Sequence, residues 1–134
     1  MEAVTASTEI VVLACSVVLL LVQVVLQAVS TYDLGPKYLL GPRDERRQSP
    51  NLIAGRLERA LRNLLETYPA FVALALALVV TGDTGGIGAA GAWVWLAARV
   101  VYLVLYAAGV PVLRTLTWLV SVAGLLMMLF RLIA

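Results

Sequence analysis

Four long apolar runs alternate with shorter polar segments along the chain. Spanning a bilayer takes about 20 largely apolar residues, and each run approaches or exceeds that length. The pattern therefore predicts an all-α integral membrane protein, a single domain over residues 1–134 whose four transmembrane helices form a bundle. The predicted spans are about 9–30, 51–80, 90–108 and 111–133.

The second predicted span begins as a charged helix and becomes apolar only towards its end. Four polar residues in it are spaced i, i+3, i+4 and i+7, so they share one helix face: Arg59, Arg62, Asn63 and Glu66. A charged side chain at the bilayer centre costs about 2.5–3.5 kcal/mol on insertion scales. We therefore expect this face to line a helix interface or a water-filled cavity. Either Glu66 pairs with one of the arginines in a structural network, or the surplus positive charge binds an anionic ligand.

The third predicted span carries a second polar face. Arg99, Tyr102 and Tyr106 are spaced i, i+3 and i+7, so they lie on the same side of the helix. Arg99 is far inside the span and needs a partner, for which Glu66 of the second span is the candidate. We favour a structural role for Arg99, and ligand binding is the alternative.

Other side chains in the spans are expected to have structural roles. Cys15 is predicted to be buried and unreactive, because an apolar environment disfavours the thiolate. Gln23 and Gln27 are expected to hydrogen-bond a neighbouring helix or, less favourably, a ligand. Trp93 and Trp95 suit the outer membrane interface.

The composition supports the membrane assignment and narrows the chemistry. Of the 134 residues, 62% are hydrophobic and 13% are charged, whereas soluble domains carry about 25% charged residues. With one cysteine and no histidine, the chain as given has no intrachain disulfide and no histidine-based triad. We expect no metal site and no nucleic-acid partner.

The charge on the loops predicts the topology. The segment 31–50 is basic, with Lys37, Arg43, Arg46 and Arg47, whereas the loop after the second span has Asp83 and no basic residue. Basic loops remain in the cytoplasm. We therefore expect a cytoplasmic 31–50 segment and both termini outside, with the first span retained as a helix.

Three polar segments carry a resemblance to a known family. They are R-x-x-R-N-x-x-E at 59–66 followed by Pro69, R-x-x-Y-x-x-x-Y at 99–106, and R-T at 114–115. Together they resemble the MAPEG superfamily, the membrane-associated proteins of eicosanoid and glutathione metabolism. The segments Tyr38–Glu45 and Ala107–Leu116 look like its uncharacterised bacterial branch, which implies a bacterial cytoplasmic membrane.

The resemblance implies a four-helix protomer that forms a homotrimer, with glutathione bound as co-substrate between subunits near the cytoplasmic side. The resemblance also implies a reaction, either conjugation of glutathione to a lipophilic electrophile from the bilayer or reduction of a peroxide by glutathione. The thiol-activating arginine falls on Arg114, followed by the hydroxyl of Thr115. The residues that the resemblance places at glutathione are Arg62, Asn63, Glu66, Tyr102 and Tyr106, with Arg59 and Arg99 as further arginines of the site.

Two positions depart from the family pattern. Trp118 stands where the eicosanoid enzymes often have tyrosine, and Tyr102 stands where some members have histidine. Eicosanoid chemistry is therefore not carried over. The leading hypothesis is a glutathione-dependent transferase or peroxidase. The second is a non-catalytic lipid-binding or scaffolding trimer, in which the charged network only holds subunits together. A small transporter or channel is a weaker third.

Overall fold

The computed structural model describes residues 6–42 and 51–134, and the regular structure in these two segments is helical. Four of the helices are long and apolar enough to cross a membrane, which confirms the four predicted spans. The helices are α1 (Thr8–Ser30), α2 (Pro36–Leu40), α3 (Leu52–Val80), α4 (Gly86–Ala108) and α5 (Pro111–Ile133), with a 3₁₀ turn at Tyr32–Leu34.

The helix ends follow local side-chain chemistry. The side chains of Ser7 and Asn51 each accept a backbone N–H from the first turn of α1 and α3, which satisfies a donor that the helix itself leaves unpaired. Gly109 ends α4 with φ of 78°, a left-handed conformation suited to glycine, and Pro111 opens α5. Two residues, Gly109 and Val110, therefore separate the helices, as in the predicted spans 90–108 and 111–133.

The loop predicted over residues 31–50 contains more structure than the sequence indicated. The 3₁₀ turn and α2 occupy its first part, and Lys37 is exposed on α2. The predicted topology residues Arg43, Arg46 and Arg47 lie outside the described residues.

The long helices form a bundle in which α3 contacts α1, α4 and α5. The most extensive contact is between α4 and α5, and two glycines permit it. A Cβ atom built on Gly91 would lie 2.6 Å from the carbonyl oxygen of Gly124. Small residues let helix backbones approach closely in a membrane, where apolar burial provides little attraction between helices.

The core is centred on an aromatic stack between α3 and α4. The rings of Phe71 and Trp95 are 3.9 Å apart and almost parallel, and Tyr68 lies at 6.0 Å from Trp95. The prediction that Trp95 lies at the outer interface is therefore wrong, since its side chain is fully buried. Residues that are two positions apart lie on nearly opposite sides of a helix. Trp93 is therefore exposed where Trp95 is buried.

Helix α1 buries a polar stripe with a spacing of seven residues, formed by Glu9, Ser16 and Gln23. Ser16 shares a hydrogen bond of 3.0 Å with the hydroxyl of Tyr68 on α3. Gln23 does not provide the expected bond through its Oε1 atom, which has no partner among the described residues. Cys15 is exposed rather than buried, because the buried stripe through Ser16 faces the bundle and leaves the side of α1 that carries Cys15 outward.

Candidate functional site

The site lies where the first half of α3, the last half of α4 and the first turns of α5 meet. Consecutive long helices run in opposite directions here, so these three segments reach the same end of the bundle. This end is also the one to which the basic segment 31–50 is attached. The charged and aromatic side chains of the three predicted motifs therefore come together in space.

Tyr106 on α4 is the centre of the cluster. Its hydroxyl accepts a hydrogen bond of 3.2 Å from Nε of Arg59. The guanidinium of Arg114 lies over the ring of Tyr106 at 4.5 Å, within the range of a cation–π interaction. Tyr102, one turn away, meets Tyr106 edge-on at 5.6 Å between ring centroids. One phenol therefore positions an arginine from α3 and another from α5.

Arg99 is fully buried one turn before Tyr102 on α4. Its Nη1 donates a hydrogen bond of 2.9 Å to Oδ1 of Asn63, and its guanidinium lies 4.4 Å from the centre of the Tyr102 ring. Nε and Nη2 of Arg99 have no hydrogen-bond partner within the described residues. The cation is thus held by one amide oxygen and one aromatic face.

These contacts border an open cavity of about 280 Å³. Five predicted site residues line it, and Arg59 and Arg99 each contact a lining residue without lining the cavity themselves. The sixth lining residue is Trp118, which the sequence analysis treated only as a departure from the family pattern. Its i+4 spacing from Arg114 was the available signal, since it places both on one face of α5. The lining residues are Asn63, Tyr102, Tyr106, Arg114, Thr115 and Trp118.

The other two predicted residues lie apart from the cavity lining. Arg62 is exposed and pairs with Glu58 on its own helix at 2.9 Å, and Glu66 is exposed near the middle of α3. Within one protomer the four polar residues of the α3 motif therefore do not share one environment. Their i, i+3, i+4, i+7 stripe is wide enough for Asn63 to face α4 while Arg62 and Glu66 face away from the protomer.

The expected partner of Glu66 also differs. Among the described residues no hydrogen bond or ion pair joins Glu66 to Arg59, Arg62 or Arg99. Arg99 bonds Asn63 instead, although Glu66 is close enough to interact with it electrostatically. Arg59 bonds the phenol of Tyr106, and Arg62 pairs with Glu58 on its own helix. Arg99 bonds the amide of Asn63.

Arg56 is a further residue that the sequence analysis did not assign to the site. Its Nη1 donates to the carbonyl oxygen of Ala107 at 3.2 Å. Its guanidinium also packs against Gly109, where a Cβ atom would lie 2.7 Å from Nη2 of Arg56. A cation at the carboxyl end of a helix satisfies free carbonyls and complements the helix dipole. Arg56 therefore links α3 to the end of α4 that carries the tyrosines.

The cavity is suited to an anionic ligand. Its lining offers a guanidinium, an amide and two phenols, and no carboxylate of the described residues belongs to it. The hydroxyl of Thr115 donates to the carbonyl oxygen of Pro111 at 3.1 Å, so the donors to an anion come from the guanidinium, the amide and the phenols. Such a site can bind negative oxygen atoms and stabilise a negative charge next to Arg114.

Fold and site together define a four-helix integral membrane protein with a cationic cavity at one end of its bundle. Residues 10–134, nearly the whole chain, match the MAPEG family. The protein therefore belongs to this family, the membrane-associated proteins of eicosanoid and glutathione metabolism. Comparison with curated proteins gives no significant match, and neither does comparison with solved structures.

Proposed function

We propose that the protein is a glutathione-dependent membrane transferase or peroxidase that acts on lipophilic electrophiles. The observation that carries the proposal is the position of Arg114, whose guanidinium stacks on Tyr106 and borders a cavity without a lining carboxylate among the described residues. Family membership supports the same class of chemistry.

The chemistry of glutathione matches the cavity. Glutathione carries two carboxylates, which guanidinium groups bind through paired hydrogen bonds. A neighbouring cation lowers the pKa of a thiol and so increases the fraction of the nucleophilic thiolate. Arg114 supplies that cation at the edge of the cavity. In the transferase reaction the thiolate sulfur bonds to an electrophilic carbon, and the leaving group departs with its bonding electrons.

A homotrimer with glutathione between subunits completes this proposal. Support comes from Arg62 and Glu66, which are exposed on α3 in the isolated protomer. Glu66 is 14 residues from either end of the 29-residue helix, about 21 Å along its axis. A carboxylate facing lipid at that depth would be costly, whereas a neighbouring subunit or the ammonium of glutathione would compensate it.

The proposed location is a bacterial cytoplasmic membrane, with the basic segment 31–50 in the cytoplasm. The cavity would then open near the cytoplasmic side, where glutathione is available, and the lipophilic substrate would arrive from the bilayer. The exposed apolar surface of the long helices supports contact with lipid.

Ultraviolet absorbance of the thiolate tests the proposal. Glutathione is titrated into detergent-purified protein at neutral pH, for the wild type, Arg114→Leu and the control Arg131→Leu. Arg131 is at the opposite end of the bundle, where it binds the carbonyl oxygens of Asp83 and Thr84. We expect a saturable thiolate signal in the wild type and the control that Arg114→Leu abolishes. An equal signal in all three proteins would refute the role of Arg114.

The second candidate is a non-catalytic lipid-binding or scaffolding trimer. It is favoured by an apolar groove of about 430 Å³ between α4 and α5, on the side away from the cationic cavity. If wild-type protein neither binds glutathione nor forms thiolate, and Glu66→Gln weakens the trimer, this candidate replaces the first. The groove is lined by Val94, Ala97, Ala98, Val101, Leu113, Leu116, Thr117 and Val120.

A further inference from the structure

Arg99 lies behind the wall of the cationic cavity and does not line it. It is fully buried, yet it contacts two residues that do line the cavity. Asn63 accepts its hydrogen bond at 2.9 Å, and the ring of Tyr102 lies 4.4 Å from its guanidinium. The contacts through which Arg99 can orient groups at the cavity are therefore those with these two side chains.

The hydrogen bond determines which way the Asn63 amide faces. An arginine side chain has only donors, whereas an asparagine amide has an acceptor oxygen at one end and a donor NH₂ group at the other. Asn63 must therefore turn its oxygen towards Arg99. Within the described chain its NH₂ group has no hydrogen-bond partner, and the residue borders the cavity. Because Arg99 binds the oxygen of the Asn63 amide, the NH₂ group of that amide remains available to a ligand.

This arrangement is costly for the folded protein. Two nitrogen atoms of Arg99 are buried without a hydrogen-bond partner among the described residues, and each such donor costs about 1–3 kcal/mol. Arg99 is also 13 residues from the start of α4 and 9 from its end, so it lies about 14 Å or more from either end of the helix. An apolar residue would fill this position at lower cost, which suggests that the arginine is retained for its donor.

We propose that Arg99 is a positioning residue that locks the Asn63 amide with its NH₂ group towards the cavity. Asn63 then recognises an anionic oxygen of the ligand, a carboxylate of glutathione, and discriminates against the ammonium. The inference rests on the proposed function and specifies which part of the ligand this wall of the cavity binds.

Asn63→Asp is the decisive variant. Aspartate keeps an oxygen for Arg99 and adds a carboxylate beside the buried cation, so the folded state is preserved. It also removes the donor and places a negative charge against the ligand. We expect the dissociation constant for glutathione, measured by calorimetry, to rise about tenfold or more, while the unfolding temperature stays the same or rises. Unchanged binding in the folded variant would exclude recognition of an anionic oxygen at this position.

Variants of Arg99 test whether it acts through Asn63. Arg99→Lys keeps a donor without an acceptor and should remain within about threefold of wild-type affinity. Arg99→Gln can both donate and accept, so the amide is no longer locked, and binding should weaken by about tenfold. In an Asn63→Ala background the Arg99→Gln change should add little further loss, since coupled residues are not additive. Arg131→Gln is the matched control for an arginine outside the site.

Two results would overturn the inference. One is a folded Asn63→Asp protein that binds glutathione as tightly as the wild type. The other is an Arg99→Gln effect of the same size with and without Asn63. If Arg99→Gln does not fold, the comparison of Arg99→Lys in the wild-type and Asn63→Ala backgrounds takes its place, and unchanged binding in Asn63→Asp still overturns the inference. Failure of the proposed function is distinguishable, because the wild type itself would then bind no glutathione, and the inference would fall with it.

Discussion

Replacing Gly91 with alanine should force α4 and α5 apart. A Cβ at this position would lie 2.6 Å from the carbonyl oxygen of Gly124, 2.8 Å from Cβ of Met127 and 3.1 Å from the backbone nitrogen of Met128. Two of these atoms belong to the backbone of α5 and cannot rotate away. The added methyl group can therefore be accommodated only by a shift of the whole helix.

The size of the effect follows from two opposing terms. Overpacking a close contact typically costs about 1–3 kcal/mol. Alanine is about 1 kcal/mol better than glycine within a helix, and this gain offsets part of the cost. Because two of the close neighbours are backbone atoms, the cost should lie at about 2–3 kcal/mol. We therefore expect Gly91→Ala to lower the free energy of unfolding by about 1–2 kcal/mol.

Gly88→Ala is the matched control, three residues earlier on the same helix. Its Cβ would meet Cγ of Arg131 at 3.0 Å and Cδ1 of Leu78 at 3.1 Å. Both atoms belong to long side chains that can move by a few tenths of an ångström. The third neighbour, Cβ of Arg131, lies at 3.2 Å and needs the smallest adjustment. The same chemical change should therefore leave stability close to that of the wild type.

Loss of helical circular dichroism on adding sodium dodecyl sulfate to dodecyl maltoside micelles provides the assay. The midpoint should fall for Gly91→Ala and remain unchanged for Gly88→Ala. Because the contact between α4 and α5 also sets the position of Arg114 over Tyr106, the thiolate signal should weaken in Gly91→Ala. Equal midpoints for the two variants would refute the reasoning, because the difference between backbone and side-chain neighbours would then have no consequence.

Three further changes test the packing away from the cavity. Trp95→Ala removes a fully buried ring from the core and should lower the free energy of unfolding by about 3–5 kcal/mol in the same titration. Tyr68→Phe removes the bond to Ser16 and should cost about 0.6 kcal/mol, the mean for such bonds between membrane helices. Glu9→Ala removes the carboxylate that accepts the N–H of Gly85 at the start of α4. It should speed exchange of that amide hydrogen, whereas Glu9→Gln should largely preserve its protection.

The helix boundaries show how much the sequence could predict. The last span, 111–133, coincides with α5, and the second, 51–80, differs from α3 by one residue. Both begin at strong signals, a proline and an asparagine cap. The start of α4 was placed four residues too late, because glycines that look like a turn belong to the helix. Close packing of Gly88 and Gly91 overrides their low helix propensity, and only the fold shows that contact.

The motif residues were predicted as a group, but their partners were not. Spacing on a helix tells which side chains share a face, but it does not tell which residues of the next helix that face meets. The structure shows that Arg59 bonds Tyr106 and that Asn63 borders the same cavity as the two tyrosines. Spacing also could not tell that the boundary of the buried face runs between Asn63 and Arg62. That boundary depends on the rotation of α3 against α4, which the packing of Phe71 on Trp95 fixes.

The distribution of acids and arginines connects the fold to the proposed chemistry. On the exposed side of α3, Arg62 has its own glutamate at 2.9 Å. At the cavity, Arg114 and Arg59 are held by Tyr106, and Arg99 by Asn63 and Tyr102. An ion pair at Arg114 would neutralise the charge that a thiolate needs, and a bonded carboxylate would compete with those of glutathione. Aromatic faces and an amide orient the cations without neutralising them, so their charge remains available to the ligand.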